Sequence, residues 1–597
     1  MNLLKKAVCF FFLLALYATL DAQRDIDEPY PQLSSANPQF KIHNTQFTTP
    51  PLHLPISLAG CFAEIRPNHF HSGIDIRTEG KEGYQVYAPD DGYVSRINIS
   101  AWGGGKVLYI DHPGGYRTVY MHLSAFCGDI GRFVHDYQYG HRTFAMDITL
   151  PKDSIPVKKG QVVALTGNTG GSSGPHLHYE IRLAENDQTI NPLYFGLPYS
   201  DPVAPTIAGI KLYPAGEQTT INGKNDELKI YPSPVAKKGK KAMSHHNEAL
   251  VIAGPFYCGI YAYDQHETGA RNKNGIEKIE LFVDGELFYR YTVPTFLFEE
   301  TRAINAIIDY PQYQRNREYY IITRQLRGNR NNWSIAYKGN GYLEFADGER
   351  HHLEYVVYDI KGNSRRHTFT VTGAQRDTSR ASHINYIIPS GTPIAYFKRC
   401  RFSQPGFNAT LEPYTVYEND ELVYSTAKDA AGLSPLHRLS LRNHPLPPHQ
   451  SFTVRLDVPA GVPERLLDRL TIVCINGKAT AACPTKRTGN TLEATTRNFG
   501  GFAVRLDTIA PTISPVSFND QKPLKGGSLS VRIGDNLSGI ATYSCTVNGV
   551  WQLAEHDGKT ATLNVDASCL QKGNNEVIFT VTDAVGNCSV GRYTIKR

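Results

Sequence analysis

Two short stretches carry side chains able to hold a metal ion. His69-Phe-His-Ser-Gly-Ile-Asp75 is answered far along the chain by Gly174-Pro-His-Leu-His-Tyr-Glu180. In an extended strand successive side chains alternate faces, so His71 and Asp75 project to one side, and so do His176 and His178. Two such strands side by side would aim four polar side chains into one cleft. Imidazole nitrogen and carboxylate oxygen are ligands that zinc accepts at about 2.0–2.2 Å, and catalytic zinc keeps three protein ligands and one position for water. Four candidates for three places leave one imidazole for proton transfer.

Between the two stretches lie Tyr120-Met-His-Leu123, Val157-Lys-Lys-Gly-Gln161 and Gly167-Asn-Thr-Gly170. The glycines from Gly167 to Gly174 superficially suggest a phosphate cradle, but no Gly-Lys-Ser or Gly-Lys-Thr follows and the loop runs into a strand-like segment instead of a helix. A cleft wall is the better reading, and Trp102-Gly-Gly-Gly105 suits either a peptide groove or a hairpin turn.

In this order and with this spacing the motifs resemble the lysostaphin and LytM type of zinc endopeptidase, which cuts peptide crosslinks in bacterial cell walls; the likeness covers residues 60–197. The resemblance implies that His71, Asp75 and His178 bind zinc and that His122 and His176 are the catalytic histidines. Zinc held by two neutral imidazoles and one carboxylate stays positive, polarises a carbonyl and lowers the pKa of bound water towards about 7. An imidazole of unperturbed pKa about 6.5 suits taking the water proton, here His176, or steadying the oxyanion, here His122. Glu180 is expected in a surface salt bridge, with orientation of a ligand as its second role. His69 and His112 read as bystanders, His112 in a turn. Shorter relatives lack the segment of about 127–156, which contains His135 and His141; these two are expected to be solvated and the segment to overhang the groove and narrow access.

The elements that must position these groups read as strands. Tyr84-Gln-Val-Tyr-Ala, Gly92-Tyr-Val-Ser-Arg-Ile, Lys106-Val-Leu-Tyr-Ile, Arg117-Thr-Val-Tyr-Met, Gln161-Val-Val-Ala-Leu and Leu177-His-Tyr-Glu-Ile are separated by Gly, Pro and Asp turns, and no long stretch shows helical periodicity. Residues 61–200 are therefore expected to form a small all-β domain of two antiparallel sheets, with the metal on the floor of a groove.

Beyond Pro198 an internal repeat appears. Val203-Ala-Pro-Thr-Ile207 recurs as Ile509-Ala-Pro-Thr-Ile513, and Tyr358-Asp-Ile-Lys-Gly-Asn363 is answered by Thr582-Asp-Ala-Val-Gly-Asn587. Short alternating strands bounded by Gly, Asn and Asp point to immunoglobulin-like sandwiches at 201–375, with insertions, and at 508–597. Residues 376–507 form another β-rich region whose role is not legible. Tyr310 to Tyr320 reads as aromatic residues alternating along an edge strand. The C-terminal β domains are candidates for a protein partner.

Lys5-Lys6, the apolar run from Ala7 to Leu20 and Asp-Ala-Gln follow the order of a secretory signal cleaved after Ala22, making residues 1–22 a signal peptide. No later stretch is long and apolar enough to span a membrane. The expected location is therefore the periplasm, the cell surface or the exterior. Residues 23–60 are an extension that can fold over the groove, with His43, Asn44 or His53 at the open zinc position. Removal of Cys9 leaves nine cysteines; Cys474 with Cys483, and a pair among Cys545, Cys569 and Cys588, are candidate bridges in an oxidising compartment. A formal net charge of +6 spread along 597 residues lacks the basic stripe of a nucleic-acid binder, and Lys237-Lys-Gly-Lys-Lys241 reads as a solvated loop.

The leading functional expectation is hydrolysis of peptidoglycan peptide crosslinks by a metal-activated water. Two alternatives are a catalytically silent protein of the same fold, binding wall peptides or activating a separate amidase, and a β-rich adhesion or scaffold protein.

Overall fold

The computed structural model describes residues 47, 49–232, 250–267, 272–331, 333–376, 391–429 and 432–597. The signal segment, His43, Asn44 and the Lys237–Lys241 run lie outside them. The architecture is all-β and multidomain: a small sheet-rich domain bearing the metal-ligand cluster is followed by further pairs of sheets.

Seven strands build the main sheet of the first domain: β1 (Leu58–Gly60), β2 (Ile74–Arg77), β3 (Gly92–Ile99), β4 (Lys106–Asp111), β5 (Tyr116–Met121), β6 (Met146–Thr149) and β7 (His176–Leu183). Their order is β1-β2-β7-β5-β4-β3-β6, so β7 is central, between β2 and β5. The register sets Asp75 and Met121 on either side of His178, all pairs antiparallel. Ile74, Ile76, Leu177, Tyr179, Tyr120 and Val119 are fully buried, the signature of strands covered on both faces. A second, three-stranded sheet joins Gln85–Tyr87, Val162–Leu165 and Ala125–Phe126. Leu165 and Thr166 there accept hydrogen bonds from Ser124, which tethers the chain just beyond His122.

The expected absence of helix fails at the insert. Helix α1 (Gly128–His141) buries Ile130, Val134 and Gln138, one residue per turn on one face. Only two of the three are apolar, too thin a stripe to register as helical periodicity. Aromatic stacking one turn apart, His135 on Tyr139 and Tyr137 on His141 at 4.5 and 3.9 Å between centroids, supports the outer face. A second correction concerns Tyr310–Tyr320, expected as an edge strand. Helix α2 (Tyr310–Asn316) stands at its start, because the Asp309 carboxylate accepts from Gln312 N at 3.0 Å and Pro311 occupies the first turn. Tyr313 is buried by it.

The first domain does not end in its own core. Phe62 and Phe70 pack with Phe296 and Trp333 of the following sheets, Phe70 edge-on to Trp333 at 4.9 Å. Thr189–Ile190 pairs with Thr295–Phe296, extending the sheet of the first domain into the neighbour. Two two-sheet units follow, at residues 391–507 and 508–597, each with its own apolar cluster.

Two further expectations change. Cys474 sits opposite Ala481 and not Cys483, and all nine described cysteines are thiols, including Cys545, Cys569 and Cys588. The described part of the extension lies against the domain: Phe47 is buried on Phe195 at 5.6 Å, and His53 stacks on Tyr87 at 3.9 Å.

Candidate metal centre

His71 follows directly on a two-strand hairpin, Ile65–Arg66 with His69–Phe70, and its backbone is held by Glu64 O and Ala63 N, both at 2.9 Å. Gly73 then lets the chain enter β2 against β7, since a Cβ there would stand 2.3 Å from Tyr179 O. This close approach brings Asp75 beside His178. His71 Nε2, Asp75 Oδ1 and His178 Nδ1 lie 2.9–3.0 Å from one another, and all three residues are buried.

The outer bonds of the two imidazoles fix their tautomers. His71 Nδ1 faces the Cys61 carbonyl at 2.8 Å and must donate, leaving its Nε2 lone pair inward. His178 Nε2 donates to Glu180 Oε1 at 2.8 Å, leaving Nδ1 inward. Asp75 is braced from behind by Arg66 on Oδ2 at 2.8 Å, so Oδ1 points inward. Three lone pairs therefore converge on one point, and a positive charge must sit among them. Without a metal that charge is a proton on His178: burial opposes it, but Asp75 and Glu180 outweigh burial and lift the imidazole to about 9. Burial pushes His71 down to about 4. Burial works against charge on Asp75 too, yet His71, His176 and His178 hold it well below the usual carboxylate range.

The donor set fits zinc. Two nitrogens and one oxygen, each with its remaining atom hydrogen-bonded outward, are the ligand type and outer support of a catalytic zinc site. Tetrahedral ligands at about 2.0–2.1 Å stand roughly 3.3 Å apart, so the triangle needs to open by only a few tenths of an ångström.

His122 lies just past β5 with φ of 62°, a left-handed conformation that a non-glycine residue holds only when its surroundings impose it. Its N–H donates to Gly104 O at 2.8 Å and its Nδ1 to Thr169 O at 2.8 Å. Gly105 and Gly170, both at positive φ, allow these two loops to touch backbone to backbone, and Gly171 N donates to Gly103 O at 2.7 Å. The glycine-rich segments thus act as the wall that sets His122. His176 starts β7 with Nδ1 donating to Gly174 O at 2.8 Å and Nε2 3.4 Å from Asp75 Oδ1. The two rings are 4.8 Å apart, each with Nε2 unprotonated in the neutral form. Burial, reinforced by His178 and His176, pushes His122 down to about 3.

Glu180 departs from its expected surface salt bridge. It is fully buried, accepts from His178, Ser72 and Arg182, and is held down to about 2 by Arg182 and His178 against burial. His112 opens the expected turn, its carbonyl accepting from Gly115 N at 3.1 Å, and its buried ring bonds Asp91 O and Thr118 at 2.9 and 2.8 Å. His69 is exposed and faces Pro67 O, as a bystander should. His135 and His141 are exposed on α1. Arg66, Cys61 and Thr169 complete the site and carry no sequence signal, because two of them act through backbone carbonyls.

Two stretches of the chain are similar to known protein families. The model of peptidase family M23 matches residues 69–139 and 128–192, and a Zu5-like domain matches residues 392–507. An uncharacterized metalloprotease of Haemophilus influenzae is 38% identical over 134 residues, 22% of each chain. The DD-carboxypeptidase/endopeptidase Mpg of Neisseria meningitidis is 34% identical over 128 residues, 21% of this chain and 23% of the relative. The catalytic domain of lysostaphin from Staphylococcus simulans is 21% identical over 24% of this chain and 91% of its own, with a TM-score of 0.17. The chain spans under a quarter of the length of these curated relatives. It contains an M23-peptidase-like domain with a His71–Asp75–His178 metal-binding triad, followed by β-rich domains.

Proposed function

We propose that the protein is an exported zinc metalloendopeptidase that hydrolyses peptide crosslinks of bacterial peptidoglycan. The observation that carries this reading is the convergence of three lone pairs from His71, Asp75 and His178, with two further imidazoles at the rim. Similarity to a DD-carboxypeptidase/endopeptidase supports the substrate class. Residues 61–200 form the hydrolase in this reading, and the modules at 201–375, 376–507 and 508–597 place it at the wall.

His71 Nε2, Asp75 Oδ1 and His178 Nδ1 would hold the zinc, which when bound supplies Lewis acidity for the scissile carbonyl and for water. His176 accepts the water proton at Nε2, its Nδ1–H being fixed on Gly174 O. His122, once protonated, donates from Nε2 to the developing oxyanion, oriented by Thr169 O. His176 then passes that proton from Nε2 to the leaving amine, so the proton taken from water is the one delivered and both imidazoles end as they began. Incubating the mature protein with purified sacculi and analysing the released muropeptides tests the reading. New amino termini at crosslinks are expected; intact crosslinks with zinc bound would exclude it.

A further inference from the structure

The internal repeat carries acidic residues in matching places, and their surroundings match as well. Asp201, Asp264 and Asp359 of the first sandwich correspond to Asp507, Asp535 and Asp583 of the last. Asn363 Nδ2 bridges Asp201 O and Asp359 Oδ2 at 3.0 and 2.7 Å; Asn587 Nδ2 bridges Asp507 O and Asp583 Oδ2 at 3.1 and 2.6 Å. Asp359 Oδ1 accepts from Lys361 N and Asn363 N, and Asp583 Oδ1 from Val585 N and Asn587 N. Asp201 and Asp507 each cap the residue two further on. Backbone N–H groups thus pin carboxylates that have little solvent around them.

One carboxylate oxygen in each cluster has nothing to bond. Asp264 is only 2% exposed, and its Oδ1 has no hydrogen-bond partner among the described residues; neither has Asp535 Oδ1. A buried carboxylate oxygen left without a partner is costly, and two such oxygens at corresponding positions point to a missing positive ligand. Ligand atoms of Asp507, Asp535 and Asp583 lie within 4.8 Å of one another, as do those of Asp201, Asp264 and His266.

We propose that each cluster binds a calcium ion, one through Asp201, Asp264 and Asp359 and one through Asp507, Asp535 and Asp583. The shared ligands are all oxygen, the choice of a hard cation, and separations up to 4.8 Å within Asp507, Asp535 and Asp583 suit an ion whose ligands sit at about 2.3–2.6 Å; Asp359 joins the first cluster through Asn363, which ties it to Asp201. His266 is a supporting group and not a ligand. Its Nδ1 accepts from the Asn274 amide at 3.0 Å, so the neutral ring carries its proton on Nε2, 3.4 Å from Asp264 Oδ2. The last sandwich has Leu537 at the corresponding place. Each ion would sit at a junction: Tyr199 of the peptidase-like domain donates to Asp201, and Asp507 directly follows the strand Gly500–Leu506 of the preceding unit. Calcium would therefore stiffen both hinges outside the cell, where its sites have affinities of about 10⁻⁴–10⁻³ M.

The test uses the full mature protein, dialysed against calcium-free buffer that contains zinc and titrated with CaCl2 by calorimetry and thermal melting. Two calcium ions per chain and a rise in Tm are expected. Asp264→Asn and Asp535→Asn should each bind one ion and the double variant none, with zinc content unchanged. The ion kept by each single variant reports that the chain still folds. No heat of binding and no Tm shift at about 10 mM CaCl2, above the affinity range of such sites, would overturn the proposal in favour of a proton shared between Asp201 and Asp264. Two ions retained in the double variant would overturn the assignment of residues.

Discussion

Glu180 Oε1 accepts the Nε2 proton of His178 at 2.8 Å, on the side of the ring opposite the one that faces His71 and Asp75. A carboxylate behind an imidazole fixes its tautomer and raises its basicity as a ligand. Glu180→Gln is expected to weaken zinc binding about 10–100-fold, measured by competition with a chromogenic chelator. Unchanged affinity would mean that the strand alone orients His178.

Glu180 also neutralises Arg182, which is itself buried. Glu180→Ala leaves that guanidinium with only the more distant, half-exposed Asp187 at 3.5 Å, so a loss towards the lower end of about 3–5 kcal/mol in urea unfolding is expected beyond the loss of metal. Arg182→Met combined with Glu180→Ala should recover part of it.

His122 and His176 belong to the rim and not the triangle. His122→Ala and His176→Ala should keep one zinc per chain and lose about 10²–10⁴-fold in kcat on a crosslinked peptide. Loss of zinc from either variant would promote that histidine to a ligand.

Glu64 sits beneath the site, where burial, only partly offset by Arg66, pushes its carboxyl from 4.5 to about 7. Between those values the folded state holds a proton that the unfolded state has released. Its contribution to stability is therefore complete below about pH 4.5 and is lost as pH rises through about 7. In metal-free protein, Glu64→Gln should flatten the fall in Tm across this window and raise Tm at pH 8; an unchanged slope would assign the fall elsewhere.

The His176 and His178 side of the centre was legible because strand alternation translates spacing into direction, whereas His71 lies between two strands, outside the one that carries Asp75, and reaches it by the turn through Gly73. His176 and His178 flank one buried position, and Asp75 pairs with His178 in register. Partners that work through the backbone were not legible: Cys61 and Thr169 bond through carbonyls that any residue possesses. Glu180 was misplaced because its alternation with His178 is equally that of a surface ion pair, and only the central position of β7 buries it. Helix α1 escaped because it buries a single narrow row of residues, one of them Gln138.

The last sandwich reaches back to the loop that sets His122. Glu555 pairs with Lys106 at 2.9 Å, Lys559 bonds Asn168 O, and Trp102 stands edge-on to His556. Removing residues 508–597 should speed hydrogen exchange at residues 100–106 and lower kcat several-fold without releasing zinc. Unaltered exchange there would show that the glycine wall is rigid by itself.

The most direct measurement is the metal content of the purified mature chain beside His178→Ala, with folding of both checked by circular dichroism. One zinc ion per wild-type chain and none in the folded variant is the result expected from three converging donors. A wild-type chain that takes up no zinc, or a variant that keeps it in full, would contradict the assignment of this site.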